Sequence, residues 1–571
     1  MTSRRNALIA GAAAAAGIVG GHAWWRNQKP AVTEAPPAPA FKPDAAFPNA
    51  LRVPGGDGLY GIHDVAGAFT LSAKSVQQDI VPGKPAKLLA YEVESQGKRL
   101  LNPVLRLRSG GKVNATLWNG IGETSIIHWH GLSVDSNNDG HPHYAVAGGA
   151  TYEYNFPVPN RAATYWYHPH PHHLTGKQVY LGLGGLFIVE DDEELALQKA
   201  LDLKLGVTDI PLVLHDRRLD AQGQLVFNPT DEDKADGFLG SQVLVNWTPK
   251  PYFEAATRVY RFRILNASNA RPYKLAFQSG GQLLPFQLIG NDGGLIDSPR
   301  TIKEVFVSPA ERIDVLLDLR NTKVGDAITL ASVTFDPMEN EDGPEDKNKP
   351  AEKGKDAKPV GNDTHAMHGA KAEKGTGPAD ARIAEKNKEK DKDDIPEPGV
   401  AMDILRIHVR RKEAYDRAVP ATLSRIEPIP ANCTSPRLIH LDHVKMVWRI
   451  NGQTYQNEKT PITVKRGATE VWNIRNAEAS MPHPFHIHGF LFQILERTGS
   501  PEQQKKLSVS DKGLAASDLG WKDTVLVWPG ETVCIAIDFT HPFNGDQVYM
   551  IHCHNLEHED QGMMLNLKVQ A

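Results

Sequence analysis

The residues in this sequence best suited to chemistry are histidines that occur in pairs with one residue between them. There are four such pairs, and the last encloses a cysteine: His128 and His130, His168 and His170, His486 and His488, and His552 and His554 around Cys553. On a β-strand, residues i and i+2 lie on one face about 6.5 Å apart, and residue i+1 lies on the other face. One pair alone would be interpreted as ordinary histidines, but four pairs in one chain, one of them flanking a cysteine, predict metal binding.

The residues around Cys553 predict a second kind of metal site. Two imidazoles, a thiolate and a weak thioether form the ligand set of a blue copper centre, and the sequence supplies them as His483, Cys553, His558 and Met563. A closed structural zinc site uses the same types of residue but needs no methionine. The eight paired histidines are enough for three further copper ions, two with three imidazoles each and one with two. Because Cys553 lies between two of these histidines, a short covalent path connects the two kinds of site.

The other histidines and cysteines carry weaker signals. His172 and His173 fit no ligand spacing, so we expect them to lie behind the ligands or in solvent. Three more are interpreted as ordinary histidines: His63, His141 and His143. The three cysteines cannot all pair within the chain. Cys433 and Cys534 are compatible with a disulfide and equally with two buried thiols, and the sequence leaves both open.

These residues require elements that bring distant parts of the chain together. Sustained helical periodicity is scarce, whereas short apolar runs broken by Gly, Pro and Asn are typical of β-sandwiches and barrels. A strand-like run ending in asparagine occurs three times, over 113–119, 259–266 and 470–476. The first and third copies are followed by the histidine-bearing stretches 126–131 and 482–489, and the second copy is not. We therefore predict three related β units, with the chemistry on the outer two.

Length and composition limit the class of protein. The 571 residues are enough for about three or four domains. The net charge of −5 gives no indication of nucleic acid or of an anionic membrane surface as a partner. Residues 338–399 are dense in charged residues, Gly and Pro and have few large apolar side chains. We predict that they form a disordered insert between two paired strands, 327–335 and 401–409.

The N-terminus has the features of an export signal. Arg4 and Arg5, within Ser3–Ile9, resemble a twin-arginine motif, and a weakly apolar Ala/Gly segment follows. We predict a twin-arginine-type signal over residues 1–26, a Pro/Ala linker over 27–48, and export to the periplasm by the twin-arginine machinery. No other segment of the sequence is long and apolar enough to cross a bilayer. An uncleaved signal would leave the protein anchored to the membrane.

Together, these motifs resemble those of the multicopper oxidases over nearly all of the chain beyond the signal. Within that family, four segments are similar to the three-domain bacterial copper efflux oxidases: Tyr167–His170, Thr175–Val179, Gly520–Thr524 and Glu557–Met564. The resemblance implies an all-β fold of three cupredoxin-like Greek-key β-sandwich domains. Their expected limits are 49–195, 205–412 and 425–571, with a type 1 copper in the third.

The resemblance also implies four copper ions and assigns their ligands. The type 1 copper would be bound by His483, Cys553, His558 and Met563. The type 2 copper would be bound by His128 and His486, and the type 3 pair by His130, His168, His170, His488, His552 and His554. Two carboxylates match positions that the family uses near the oxygen-reducing cluster. Asp139 is expected to assist proton supply to the cluster, and Glu559 to lie on a proton path.

The activity that the resemblance implies is one-electron oxidation of a reductant, coupled to reduction of dioxygen to water. Cu(I), as in copper tolerance, is the favoured reductant, and small phenols or aromatic amines, as in laccases, are the alternative. The efflux oxidases have a methionine-rich segment that gathers Cu(I), and this chain has none. An acidic residue that binds substrate copper there is replaced by Ala479, with Glu478 and Met481 nearby. A non-enzymatic cupredoxin-like scaffold of the cell envelope is a third hypothesis, which the complete ligand set disfavours.

Overall fold

The computed structural model describes residues 43–340, apart from residue 57, and residues 395–571. The predicted signal, most of the linker (residues 27–42) and most of the charged insert (residues 341–394) lie outside these residues. The elements below belong to one compact unit that spans residues 44–571. The longest helix in the described part of the chain has 10 residues, and no helix there is long and apolar enough to cross a bilayer.

Strands dominate the described residues, and they fall into three consecutive groups. The first group is β1 Asn49–Ala50, β2 Gly58–Leu59, β3 Ile62–Asp64, β4 Ala68–Val81, β5 Lys84–Ser95, β6 Lys98–Leu101, β7 Val104–Arg108, β8 Lys112–Asn119, β9 Ile127–His130, β10 Thr151–Pro157, β11 Ala163–Pro169 and β12 Gly185–Glu190. The second is β13 Asp209–Arg217, β14 Gln242–Val245, β15 Thr248–Pro249, β16 Pro251–Ala256, β17 Val259–Asn266, β18 Tyr273–Ser279, β19 Gln282–Leu284, β20 Phe286–Asn291, β21 Gly294–Ile302, β22 Val305–Val307, β23 Arg312–Asp318, β24 Ala327–Ser332 and β25 Met402–Arg411. The third is β26 Arg437–Val444, β27 Val447–Ile450, β28 Ile462–Lys465, β29 Thr469–Asn476, β30 His483–Ile487, β31 Phe492–Thr498, β32 Thr524–Val527, β33 Thr532–Asp538, β34 Gln547–Cys553 and β35 Met564–Gln570.

The helices are short and lie in the connections between strands. They are α1 Thr175–Tyr180, α2 Asp192–Leu201, α3 Asp231–Asp236, α4 Glu502–Lys505 and α5 Leu556–Asp560. Two single turns of 3₁₀ helix are Pro142–Tyr144 and Ala516–Asp518. The scarcity of helical periodicity in the sequence is therefore matched by the structure.

Six sheets pair into three β-sandwiches, which confirms the predicted all-β fold with three cupredoxin-like domains. The first sandwich has the strand orders β10-β8-β4-β5-β6-β2 and β3-β7-β12-β11-β9. The middle one has β1-β16-β25-β24-β18-β19, with β22 beside β18, and β15-β14-β13-β17-β23-β20-β21. The third has β27-β26-β29-β33-β31 and β28-β35-β34-β30-β32. Each sandwich has its own apolar core, formed by side chains from both of its sheets.

The three repeated runs form equivalent strands, and the repeated asparagine has the same function in each. Strands β8, β17 and β29 each lie between one parallel and one antiparallel neighbour. The terminal residues Asn119, Asn266 and Asn476 are fully buried, and each side-chain amide donates to two backbone carbonyls, one in the loop that follows at once and one farther along the chain. The asparagine therefore fixes the start of the loop that, in the outer two copies, leads to the histidines.

The strands that flank the charged insert pair with each other as predicted. Strand β24 is antiparallel to β25, with Ile328 opposite Ile407. The insert therefore interrupts the sequence without interrupting the sheet of the middle sandwich. Strand β1 also joins this sheet, through β16.

A buried ionic network attaches α2, the helix that follows the first sandwich, to the middle sandwich. Arg261 and Arg263, two residues apart on β17, both bind Glu194 of α2 at 2.6 Å. Asp209 and Asp314 complete the network on the neighbouring strands β13 and β23. All five side chains are buried, and a buried charge of this kind is tolerated only when it is paired.

The question that the sequence left open about the cysteines is answered. Cys433 and Cys534 form a disulfide across 101 residues of sequence, and Cys553 is a free, buried thiol. The disulfide attaches the segment before β26 to β33, inside the third sandwich.

Candidate copper centres

The strand register aligns the histidine pairs before any metal is considered. In the first sandwich, β9 and β11 pair with His128 opposite His168. In the third, β30 and β34 pair with His486 opposite His552. Each sandwich therefore presents its histidines from two adjacent strands.

The two sets of histidines meet between the first and third sandwiches. The rings of His128 and His488 stack with centroids 3.7 Å apart, and those of His130 and His486 stack at 3.8 Å. All eight paired histidines are buried, with exposures of 1% or less. The structure thus brings together the four pairs, from opposite ends of the chain, in one centre.

In several of these rings one nitrogen is bound to the protein and the other has no partner. Nδ1 of His128 lies 2.7 Å from the Asp139 carbonyl, and Nδ1 of His168 lies 2.9 Å from the Pro169 carbonyl. Nδ1 of His486 lies 2.8 Å from the Asp523 carbonyl. Nε2 of each of these three rings has no hydrogen-bond partner. Nδ1 of His488 lies 2.8 Å from a carboxylate oxygen of Asp139, and Nδ1 of His552 lies 3.0 Å from the Cys553 carbonyl. The Nε2 atoms of these two rings are 3.0 Å apart. Buried polar atoms rarely lack a partner, so these nitrogens fit a centre that binds metal ions.

Burial also fixes the protonation state that a ligand needs. Desolvation, followed by the neighbouring imidazoles, lowers the pKa of His130, His170, His486 and His488 well below the ordinary value. Neutral imidazole is the form that binds transition metals. These four imidazoles are therefore neutral at physiological pH even without a metal.

The second group of predicted ligands lies on the opposite face of β34. The Cys553 sulfur is 3.4 Å from Nδ1 of His483 and 3.7 Å from Nδ1 of His558. Met563 is fully buried, and its backbone is hydrogen bonded to Cys553 and His558. Burial raises the pKa of the Cys553 thiol well above its ordinary value, so a thiolate here needs a cation, and the residues fit a copper ion.

The middle sandwich covers the outer side of this group. The Ala235 carbonyl, in the last turn of α3, lies 2.7 Å from Nε2 of His558 and accepts from the Trp448 indole at 2.6 Å. The indole packs against both imidazoles, with its ring centroid 4.6 Å from that of His483 and 4.9 Å from that of His558. The last carbonyls of a helix have no partner within the helix. Here Trp448 and His558 of the third sandwich bind the Ala235 carbonyl.

The two predicted carboxylates lie at the histidine cluster. Asp139 is fully buried, and its Oδ2 is 2.8 Å from Nδ1 of His488. Glu559 is 1% exposed, with carboxylate oxygens 3.4 Å from Nε2 of His170 and 3.2 Å from Nδ1 of His552. Burial, and then the neighbouring Asp560, raises the pKa of Glu559 well above its ordinary value. Glu559 is therefore a buried acid that holds a proton beside the cluster.

One residue at the cluster was not predicted. Asp523 is fully buried, and its Oδ1 lies 3.1 Å from Nε2 of His130. The segment Gly520–Thr524 was recognised as a family motif, which is the only sequence signal for it. The 393 residues that separate Asp523 from His130 along the chain hide the contact from sequence reasoning.

The five histidines that the sequence analysis set aside lie outside both groups. The rings of His172 and His173 stack at 3.6 Å, and Nδ1 of His173 is 2.6 Å from the Asp560 carbonyl. His141 is buried, with Nε2 2.9 Å from the Asn566 side chain. Over residues 43–340 and 395–571, no metal-binding cluster includes His172, His173, His63, His141 or His143.

A pocket of about 300 Å³ opens beside the second group. Met481, Pro482 and Pro484, which flank His483, form one side of it, and Asp236 and Gly237, directly after Ala235, form another. Among the described residues, carboxylates dominate its charged lining: Glu232, Asp233, Asp236, Glu339 and Glu397, against one guanidinium, that of Arg218, which pairs with Asp233.

Three β-sandwiches with one thiolate-containing site and one histidine cluster between sandwiches define a copper oxidase built from cupredoxin-like domains. Residues 84–194 and 430–571 each match a family described as multicopper oxidase. The chain is 28% identical over 505 residues to the multicopper oxidase Mco of Staphylococcus aureus, covering 88% of each chain. It is 30% identical over 471 residues to a laccase of Bacillus subtilis, covering 77% of this chain and 78% of the laccase.

The structural comparison gives the same result. The McoA multicopper oxidase of Aquifex aeolicus superposes with a TM-score of 0.74 and 37% identity, covering 92% of this chain and 99% of that one. The chain belongs to the multicopper oxidase family, as its motifs predicted. It is a copper-dependent oxidoreductase that uses dioxygen and a reductant.

Proposed function

We propose that this chain is a four-copper oxidase of the periplasm that oxidises Cu(I), reduces dioxygen to water and acts in copper tolerance. The observation that supports this choice of reductant is the acidic, methionine-containing pocket beside the Cys553 site.

The proposed copper ions are distributed over the two groups of ligands. One type 1 ion is held by His483, Cys553, His558 and Met563, and the eight paired histidines hold one type 2 ion and a type 3 pair. When bound, copper supplies the one-electron redox chemistry and the reduction of dioxygen. The type 2 ligands are His128 and His486, and the type 3 ligands are the other six.

The chain itself supplies the connection between the two groups. Cys553 lies between His552 and His554 on one strand, and the Nδ1 of His552 is 3.0 Å from the Cys553 carbonyl. The covalent path is therefore supplemented by a hydrogen bond. Burial of both groups excludes bulk water, and Glu559 holds a proton close to the ligands His170 and His552.

The pocket favours a small cation as the reductant. Five carboxyl side chains and one guanidinium line it, so its negative potential concentrates cations near the type 1 ligands. Met481 contributes a thioether, which is a soft ligand suited to Cu(I). Ala479 cannot bind copper, so the carboxylates of the pocket would replace the acidic residue that efflux oxidases have there.

The size of the pocket supports a second candidate, a laccase-like oxidase of phenols and aromatic amines. A volume of about 300 Å³ lies at the lower end of the range for sites that bind small organic molecules. A single aromatic ring would fit beside Pro482 and Pro484.

Oxygen uptake separates the two candidates. The copper-loaded protein is assayed with Cu(I) and, separately, with a bulky phenol without added copper. We expect faster uptake with Cu(I), and we expect Met481→Leu to raise the KM for Cu(I) about tenfold, which corresponds to about 1.4 kcal/mol. Met402→Leu is the matched control, because Met402 packs against the core of the middle sandwich. Faster uptake with the phenol, unchanged by Met481→Leu, would establish the laccase-like activity instead.

The proposed periplasmic location is supported by two features. One is the twin-arginine-like segment that contains Arg4 and Arg5. The other is the Cys433–Cys534 disulfide, a bond that persists mainly in oxidising compartments. Cell fractionation tests the proposal: replacing both arginines with lysine should retain the protein in the cytoplasm, and an unchanged distribution would refute it.

A further inference from the structure

Asp523 holds one ligand ring with its side chain and a second ring with its backbone. Its Oδ1 is 3.1 Å from Nε2 of His130, and its carbonyl is 2.8 Å from Nδ1 of His486. These are the two rings that stack at 3.8 Å across the boundary between the first and third sandwiches. Thr524 adds its hydroxyl between them, 3.1 Å from Nδ1 of His486.

The Asp523 carboxylate is itself fixed by a residue of the middle sandwich. Arg312 donates from both terminal nitrogens, to Oδ1 at 2.8 Å and to Oδ2 at 2.5 Å. The remaining donors of this guanidinium reach the carbonyls of Thr164, Ala310 and Asp292 at 3.0 Å. Arg312 is fully buried, and all five N–H donors of its guanidinium are engaged. The Asp523 carboxylate therefore cannot rotate without breaking charge-assisted hydrogen bonds.

The approach of Asp523 to the histidine strand also depends on a glycine. Gly131, directly after His130, has φ of +86°, and a Cβ there would lie 2.6 Å from Oδ2 of Asp523. The absence of a side chain at Gly131, in the first sandwich, therefore leaves space for the Asp523 carboxylate of the third sandwich.

The consequence concerns which nitrogen His130 presents to the cluster. Its Nε2 is occupied by Asp523, and its Nδ1 has no partner. His128, His168 and His486 present the opposite nitrogen, because a backbone carbonyl occupies Nδ1 in each. A side-chain carboxylate clamped by Arg312 thus distinguishes His130 from these three rings; His170 also has a carboxylate oxygen, that of Glu559, near Nε2, at 3.4 Å.

We propose that Asp523, held by Arg312, is a positioning residue that orients His130 so that Nδ1 faces the metal cluster. The proposal rests on the proposed function, since it assumes that copper occupies the cluster. Asp523 lies close enough to His130 and His486 to form a ligand group with them. Its oxygens already accept from Arg312, His130 and Thr524, and in this proposal the carboxylate acts through His130 and not as a ligand.

The test compares copper content and colour in three purified, copper-loaded variants. Asp523→Asn keeps the shape of the side chain but removes the charge that Arg312 clamps. We expect it to contain three copper ions per chain or fewer instead of four. We expect the blue absorption of the type 1 site to keep its intensity per chain, because His483, Cys553 and His558 do not contact residue 523. Oxygen uptake should fall at least tenfold.

Two further variants separate a specific effect on His130 from the general loss of a buried charge. Asp518→Asn is the matched control, because Asp518 is a buried carboxylate of the same sandwich clamped by Arg497 at 2.8 and 2.9 Å, and we expect four copper ions in it. If Asp523→Asn does not fold, Arg312→Lys tests the same support of His130. We expect the Arg312→Lys variant to lose copper from the histidine cluster and to keep the blue absorption of the type 1 site.

Several outcomes would overturn the proposal. Four copper ions in both Asp523→Asn and Arg312→Lys would show that His130 needs no such support. Parallel loss of cluster copper and blue colour would show a general structural role. Failure of the wild-type protein to bind copper would instead refute the proposed function, so the two failures can be told apart.

Discussion

The disulfide gives a prediction whose size follows from the structure. Cys433 and Cys534 are 101 residues apart in sequence. In the chain-entropy description, a bond that closes a loop of about 100 residues restricts the unfolded chain and stabilises the fold by about 4.7 kcal/mol. Replacing both cysteines with alanine should therefore lower the free energy of unfolding of the third sandwich by about 3–5 kcal/mol.

Urea unfolding of the metal-free protein, followed by tryptophan fluorescence, measures this effect. With an m-value of about 3 kcal/mol/M, the urea midpoint should fall by about 1–1.7 M. A thiol reductant should lower the midpoint of the wild-type protein by a similar amount and leave that of the double variant unchanged. Coincident midpoints for wild type and double variant would refute the reasoning, and would also remove one argument for export to an oxidising compartment.

Three more substitutions test other parts of the site. Glu559→Gln keeps the size of the side chain but removes the transferable proton, so oxygen uptake measured with an electrode should fall about 10²-fold at unchanged copper content; full activity would exclude a role in proton supply. Trp448→Ala removes an indole that is 1% exposed and should cost about 3–5 kcal/mol in urea unfolding; a loss below about 1 kcal/mol would contradict the packing described. Gly131→Ala places a Cβ 2.6 Å from the Asp523 carboxylate and should remove cluster copper in metal analysis. Gly467→Ala is its control, with φ of +76° and open space around it, and equal copper loss in both variants would point to backbone strain alone.

Much of the fold and of both ligand groups could be predicted from the sequence, because the signals are local. A spacing of two residues on a strand places His552 and His554 on one face and Cys553 on the other, whatever the rest of the chain does. The repeated runs that end in Asn119, Asn266 and Asn476 form equivalent strands, since the same amide makes the same pair of hydrogen bonds in each sandwich. The resemblance to the family then implies the cupredoxin-like topology of the three units that the repeat predicts.

The features that escaped prediction depend on contacts between distant segments. Asp523 lies in the family motif Gly520–Thr524, but nothing in that motif shows what it contacts, and its function appears only when Arg312 and His130 from two other sandwiches surround it. The same holds for the Ala235 carbonyl, which covers His558 from the middle sandwich. The pairing of Cys433 with Cys534 was left open because spacing alone does not bring two cysteines together.

The central claim is that one copper ion is held by Cys553 and three more by the eight paired histidines. Copper content and visible absorption of the wild type and of Cys553→Ser test it most directly. We predict four copper ions per chain and an intense blue band in the wild type, and three copper ions with no blue band in the variant. A wild type that is colourless after copper loading, or a variant that keeps the blue band, would contradict the assignment.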